Sequence, residues 1–385
     1  MSGHLLSTYA RFPVTFERGA GAALWDTDGN EYLDFLTGIS VSSVGHCHPA
    51  VVAAIQEQSA KLLHVGNLYF NAPMVRLADR LAQSSLGGGV FFTNSGAEAV
   101  EAALKLARKA KRGGEIVVIQ GGFHGRTYGA LSATPQEAKQ APFAPLVPGF
   151  VVVPPTAEGI AGAVHAGTAA VLCEPIRGES GVHPLDDDTL RAARAACDEH
   201  GAALIFDEIQ TGLARTGTMW AYEHSGVVPD AITSAKALGG GLPIGALITG
   251  ERLRDVLQPG DHGSTFAGGP VVAAAANAVL DILGDPALHA HVRDLGERLR
   301  EAVRDLPHVV EVRGRGLMVG FDLDPDTNAV DVARSALLDH RLVVNATGPS
   351  TLRLLPPLTI DESHVDDALT RLTAALTAIS RRPSD

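Results

Sequence analysis

Residues 202–212 read Ala-Ala-Leu-Ile-Phe-Asp-Glu-Ile-Gln-Thr-Gly: five apolar positions without alternation, running into two carboxylates, Asp207 and Glu208. An apolar run of this kind fits a strand covered on both faces, as in parallel sheets flanked by helices. The same texture recurs at 90–93, 115–120, 169–173, 231–234 and 244–249, with helical composition between, as at 189–200. The alternation predicts an α/β domain with a mostly parallel sheet. Beyond residue 280 the texture changes. A charged helical stretch at 288–306 leads to short strands around 309–312 and 317–323, a helix at 330–340, a further strand and a last helix at 362–379. We expect a large α/β domain over 41–280 and a smaller α+β domain over 281–385. The N-terminal segment 1–40, with its turn Asp26-Thr-Asp-Gly-Asn30, is expected to pack with the small domain.

The 385 residues are 45% hydrophobic and 19% charged, an ordinary globular balance. A net charge of −12 and the lack of clustered Lys and Arg argue against nucleic-acid binding. No apolar run reaches the roughly 18–20 residues that span a bilayer, so no membrane association is expected. Residues 1–16 lack a basic head and apolar block, and Cys47, Cys173 and Cys197 are too scattered for a disulfide framework. Both features lead us to expect a cytoplasmic location.

Of the six lysines, Lys61, Lys105, Lys109, Lys111 and Lys139 have charged or polar neighbours; Lys236 stands alone, with no other charge from 231 to 250. A lysine at the end of a buried strand needs an anionic partner or a reason to be neutral. Desolvation lowers its pKa and frees the amine as a nucleophile for Schiff-base chemistry. A lysine snorkelling from a strand end meets the same description. The Asp207–Glu208 pair sits where open α/β sheets bind ligands. A carboxylate there can keep a pyridine nitrogen protonated, and such a pair is worth about 4 kcal/mol at 4 Å and an effective dielectric near 20. A nucleotide-hydrolase reading fails, because the chain has no Gly-Lys dipeptide for a phosphate loop.

Two further stretches point the same way. Val90-Phe-Phe-Thr-Asn-Ser-Gly-Ala-Glu98 is a strand entering a helix, with Ser95 and Glu98 at capping-box spacing and Val100, Ala103, Leu104 and Ala107 on one face. Such an N-terminus offers amides to a phosphate. Gly121-Gly-Phe-His-Gly-Arg-Thr127 sets an aromatic face beside a guanidinium suited to a carboxylate. Other patterns carry less. Gly314-Arg-Gly-Leu-Met-Val-Gly320 has the wrong spacing for a dinucleotide loop, and His46-Cys-His48 is too tight to converge on a metal.

Together with Gly45-His-Cys-His-Pro49, Glu174-Pro-Ile-Arg-Gly-Glu179, His262-Gly-Ser-Thr-Phe266 and Leu352-Arg-Leu354, these segments resemble the subgroup-III aminotransferases of the fold-type-I pyridoxal-phosphate enzymes. The resemblance implies that fold, pyridoxal 5'-phosphate as cofactor, and amino transfer to a 2-oxo acid. It implies that Lys236 carries the cofactor and shuttles the proton, Asp207 pairs with the ring nitrogen, Gln210 contacts the ring hydroxyl and Phe123 stacks on the ring. Ser95, Gly96 and Ala97 would hold the phosphate, and Thr265 would reach the phosphate of the neighbouring subunit in a homodimer with shared active sites. Arg126 and Ser264 would bind the amino donor, Arg353 the α-carboxylate of glutamate or 2-oxoglutarate, and Glu179 would act as a gate that pairs with Arg353. The segments His64-Val-Gly-Asn-Leu-Tyr69 and Thr8-Tyr-Ala-Arg-Phe-Pro-Val14 resemble the branch acting on acylated ornithine, and Ile39 replaces the tyrosine of enzymes acting on free ornithine. Ala267-Gly-Gly-Pro270 departs from the usual Gly-Gly-Asn-Pro at the subunit contact. An aminomutase, a decarboxylase and a non-catalytic regulator of the same fold are the rival readings; the paired Arg353 and Glu179 favour the aminotransferase.

Overall fold

The computed structural model describes residues 4–379. Three short strands come first: β1 (Phe16–Ala20), β2 (Ala23–Asp26) and β3 (Glu31–Asp34). The central sheet takes β4 (Gly87–Thr93), β5 (Glu115–Ile119), β6 (Phe150–Val153) and β7 (Thr168–Cys173). A small hairpin, β8 (Ile176–Arg177) and β9 (His183–Pro184), precedes the remaining central strands β10 (Ala203–Asp207), β11 (Ala231–Ser234) and β12 (Gly245–Gly250). The C-terminal part supplies β13 (Val309–Arg315), β14 (Met318–Leu323), β15 (Leu342–Val343), β16 (Asn345–Ala346) and β17 (Thr351–Leu354).

The central sheet runs β4-β12-β11-β10-β7-β5-β6. The pairings among β11, β10, β7, β5 and β6 are parallel, whereas β12 is antiparallel to both β11 and β4. Its strands are apolar throughout because both faces are covered. Ala203 and Ile205 join Ile116, Val118 and Leu172 beneath the helix Gly96–Ala110, while Leu204 and Phe206 join Val117, Ile119 and Val171 on the opposite side. The parallel strands all end on one edge of the sheet, and the chain enters β12 from that same edge. Every connecting segment named below starts there.

Strand β6 lies outside the expected strands although Phe150–Val153 is apolar throughout; it is short, pairs only with β5 and leaves Val152 54% exposed. The stretch 314–320 is a hairpin between β13 and β14, with no helix for a dinucleotide loop to open. Strand β3 pairs in parallel with β15, which joins the start of the chain to its C-terminal part. Residues Thr37, Gly38, Ile39 and Ser40 then all have positive φ, a left-handed turn. For L-residues this costs about 1–2 kcal/mol each, and two of the four are β-branched. Asp34 holds its entry by accepting from the Leu36 and Thr37 amides, 2.8 Å each, and Thr37 Oγ1 donates to Leu355 O at 2.8 Å.

Candidate active site

A cavity of about 460 Å³ opens at the edge where the parallel strands end, lined by residues from five of the segments that meet there. Lys236 follows β11 and opens a 3-10 turn, Lys236–Gly239, with φ +44°. A non-glycine residue held in this region marks an over-determined position. Its half-buried ammonium lines the cavity, and among the described residues no hydrogen bond holds it. Burial lowers its pKa; Glu179, Asp207 and Glu174 act against this, and Arg353 adds to it.

The two carboxylates at the end of β10 diverge. Asp207 lines the cavity and is clamped on three sides: Oδ2 accepts from His124 Nδ1 at 2.8 Å, and Oδ1 accepts from Thr233 Oγ1 at 3.0 Å and the Ile209 amide at 3.1 Å. Glu208 faces away, accepting from the Tyr222 amide at 2.9 Å and from Thr211, and burial pushes its pKa up to about 7. Burial would lower the pKa of His124, but the hydrogen bond and charge of Asp207, with Glu174, raise it. Its Nε2 is buried without a partner. Glu174 accepts from the Phe123 amide at 2.8 Å and the Gly178 amide at 3.0 Å, and burial takes its pKa to about 7. His124 and Glu174 were given no role from sequence, although both lie in quoted segments. Neither residue type reveals there that it holds a neighbour's side chain or backbone in place.

Ser95 caps the helix Gly96–Ala110, its Oγ accepting from the Glu98 amide at 3.2 Å. The expected capping box closes differently: Glu98 Oε2 takes the amide of Asn94 at 2.8 Å and its Nδ2 at 2.9 Å, not the Ser95 amide. The Ser95, Gly96 and Ala97 segment therefore faces the cavity with helix-start amides free for an anion. Asn94 also donates to Ser264 Oγ at 2.9 Å, which ties Ser264 to the rim. Thr265 is exposed and outside the cavity lining.

Phe123 lines the cavity with Arg126, whose exposed guanidinium lies 5.7 Å from the Phe123 ring centre. Lys139 Nζ is 5.5 Å from the same ring, its pKa lowered by burial and by the Arg126 charge. Arg353, fully buried on β17, donates Nη1 to Glu179 Oε1 at 2.7 Å, Gly178 O at 3.0 Å and Gln210 Oε1 at 3.1 Å, and Nε to Asn345 Oδ1 at 3.1 Å. Its Nη2 is buried and unpartnered. Burial works to raise the pKa of Glu179, but Arg353 and Lys236 bring it down to about 2. Gly178 leaves room for this packing: a Cβ there would stand 2.1 Å from Gln210 Oε1, so the Gln210 amide would have to shift.

Lys236, Asp207, Gln210, Phe123, Ser95, Gly96, Ala97, Arg126 and Glu179 thus line one cavity, with Arg353 directly behind Glu179. The histidines quoted as a metal candidate have other tasks. His46 Nε2 bonds Asp34 at 2.7 Å and His48 caps the helix Pro49–Ser59; among the described residues no group of three ligands could hold a metal.

A nucleophilic amine, a fixed buried carboxylate, an aromatic face and an amide cradle at one sheet edge define an enzyme of the pyridoxal-phosphate type. The chain belongs to the class-III aminotransferases, whose family model matches residues 7–376. It is 44% identical to the acetylornithine aminotransferase of Caldanaerobacter subterraneus subsp. tengcongensis over 98% of both chains, and 46% identical to that of Methanopyrus kandleri over 97% of both. In fold it is similar to the ornithine aminotransferase of Toxoplasma gondii (TM-score 0.93, 34% identity, 98% of this chain and 93% of that one). It is likewise similar to the acetylornithine aminotransferase of Elizabethkingia anophelis (TM-score 0.86, 31% identity, 97% and 96%). The chain is an aminotransferase dependent on pyridoxal phosphate. The unpartnered lysine amine, the clamped carboxylate and the open helix-start amides fit that cofactor.

Proposed function

We propose that the enzyme moves the δ-amine of N-acetylornithine to 2-oxoglutarate, giving N-acetylglutamate 5-semialdehyde and glutamate. The observation that carries this is the Arg353–Glu179 pair beside Lys236. A single site must take the α-carboxylate of glutamate in one half-reaction and a terminal amine in the other. A buried guanidinium would be costly unpaired, so a carboxylate that pairs with it and can leave suits both demands. The many acetylornithine aminotransferases among its relatives support the acylated donor; Ile39 packs against Ile176, Val182, Met318 and Leu355 and not along the cavity.

The bound cofactor supplies an electron-withdrawing ring. Ser95 Oγ and the Gly96 and Ala97 amides would hold its phosphate, Phe123 would cover the ring and Gln210 would meet the ring hydroxyl. Asp207, oriented by His124 and Thr233, would keep a proton on the ring nitrogen. Lys236 Nζ would be the attachment point and would carry the proton to and from the substrate carbon. Arg126, with Ser264 at the rim, orients the donor carboxylate. Steady glutamate production from N-acetylornithine and 2-oxoglutarate, outpacing that from succinylornithine, succinyl-diaminopimelate and ornithine, tests the proposal. Release of carbon dioxide or an isomer without glutamate would refute it.

The proposal includes a cytoplasmic homodimer in which Thr265 serves the partner's phosphate site. It also includes a division into a large domain over 41–280 and a small one over 281–385. Exposure of Thr265 away from its own cavity supports the first, and the separate β13-β14-β17-β16 sheet the second. No single helix among the described residues is long and apolar enough to cross a membrane.

A further inference from the structure

Arg215 is fully buried, and among the described residues no carboxylate pairs with it. Burial pulls its pKa down to about 9, which still leaves a cation at neutral pH. Hydrogen bonds take its place of a counter-ion. Nε donates to Ser40 Oγ and Nη2 to Ser43 Oγ, both at 2.9 Å, and Nη1 donates to Leu317 O at 3.0 Å and Pro356 O at 2.6 Å. A buried charge without an opposite charge is unfavourable, so its retention asks what depends on it.

One of these bonds ends on a strained element and a second on Ser43, three residues beyond it. Ser40 ends the left-handed turn that begins at Thr37, and the next residue, Val41, lines the cavity with Lys236, Arg126 and Glu179. Asp34 and Leu355 O hold the start of the turn; Arg215 holds its end. The same guanidinium grips Pro356, three residues beyond Arg353. Backbone approach is close as well: a Cβ on Gly316 would lie 2.7 Å from Arg215 O. A left-handed turn of L-residues persists only where its surroundings over-determine it, and such strain collects at functional sites.

We propose that Arg215 is a positioning residue: by pinning the end of the left-handed turn it fixes the Val41 wall of the cavity and so sets selectivity among amino donors. The donors named here rest on the function proposed above. Ser40→Ala removes the one acceptor on the turn, and Arg215→Lys keeps the charge without the planar fork that reaches four acceptors. Each variant is compared with wild type for kcat/KM on N-acetylornithine and on ornithine, for the visible absorbance of bound cofactor, and for amide hydrogen exchange at 39–41. Losing a hydrogen bond to a buried charged group is worth about tenfold or more in an equilibrium. The expected result is therefore a donor ratio changed by about tenfold, carried by KM, with exchange at 39–41 faster by a similar factor and the absorbance unchanged. An equal loss on both donors, or unchanged exchange at 39–41, would overturn the proposal. If Arg215→Lys does not fold, Ser40→Ala carries the test alone. Absence of glutamate from either donor with the wild-type enzyme would instead strike at the proposed reaction, and the exchange measurement would still decide whether Arg215 holds the turn.

Discussion

At the scale of single residues, the cavity shows how differently one charge behaves in different company. Lys236 has no bonded partner and a lowered pKa, so its amine is available. Lys236→Ala is expected to abolish the visible absorbance of the bound cofactor and lower kcat by several orders of magnitude; undiminished turnover would remove the central assignment. Arg353 is the opposite case, a buried cation with a full set of acceptors on Nη1. Its replacement by Ala should cost about 2–5 kcal/mol, mainly in the half-reaction with 2-oxoglutarate. Single-turnover kinetics for the two halves separate this from a general loss. Glu208 gives a prediction in stability. Its folded pKa of about 7 lies above the ordinary 4.5, so the folded state binds more protons and stability falls as pH rises between these values. A shift of this size is roughly 3 kcal/mol. In Glu208→Gln the deficit relative to wild type should therefore shrink from pH 4.5 to 7, as urea unfolding at several pH values would register. A deficit independent of pH would mean that Glu208 does not ionise in this range.

At the scale of elements, the hairpin β8–β9 carries Glu179 and depends on Gly178. Gly178→Ala should displace Gln210, loosen the Arg353 contacts and lower kcat/KM for 2-oxoglutarate at least tenfold, since the added carbon overlaps Gln210 Oε1. Unchanged kinetics with this variant would show that the hairpin can move aside without consequence. Elements also explain what could be read in advance. Strands β7, β10, β11 and β12 announce themselves because both faces are covered by apolar layers, which leaves unbroken apolar runs in the chain. Most site segments were legible for a related reason: those of Asn94–Ala97, Phe123–Arg126, Asp207–Gln210 and Lys236 follow a strand end, where sharp turns and polar side chains interrupt the apolar texture. Pairing was not legible. Nothing within residues 245–250 says that β12 runs against its neighbours, whereas β6 carries the same apolar texture, Phe-Val-Val-Val, over only four residues at the sheet margin. Nor does Thr-Gly-Ile-Ser disclose a left-handed turn at Thr37–Ser40, which is held by nearby Asp34 and by Arg215 and Leu355 from elsewhere in the chain.

At the scale of the whole molecule, the surface beside the cavity is more apolar than a free surface tends to be. Leu68 is 91% exposed and Phe70 88%, and Phe266 beside Thr265 is 69% exposed. Asn67 donates to Ser264 O at 2.8 Å and to Ala267 O at 3.1 Å, so these side chains form one connected patch with the Thr265 loop. Contiguous exposed apolar side chains of this kind mark association surfaces, and the patch holds the residue assigned to a partner's phosphate site. Burying it against a second copy would remove the apolar area from water and deliver Thr265 across the boundary in both directions, as two-fold symmetry requires. Wild-type protein is therefore expected to sediment as a dimer at micromolar concentration. Leu68→Asp combined with Phe70→Asp should give a monomer, because each buried carboxylate would lack a partner. That monomer should hold pyridoxal phosphate more weakly even though Lys236, Asp207 and Ser95 are intact, because each phosphate site loses the partner's threonine. Thr265→Val should weaken cofactor retention while leaving the dimer in place. A wild-type monomer that binds the cofactor fully would separate Thr265 from the active site and leave the patch without that role.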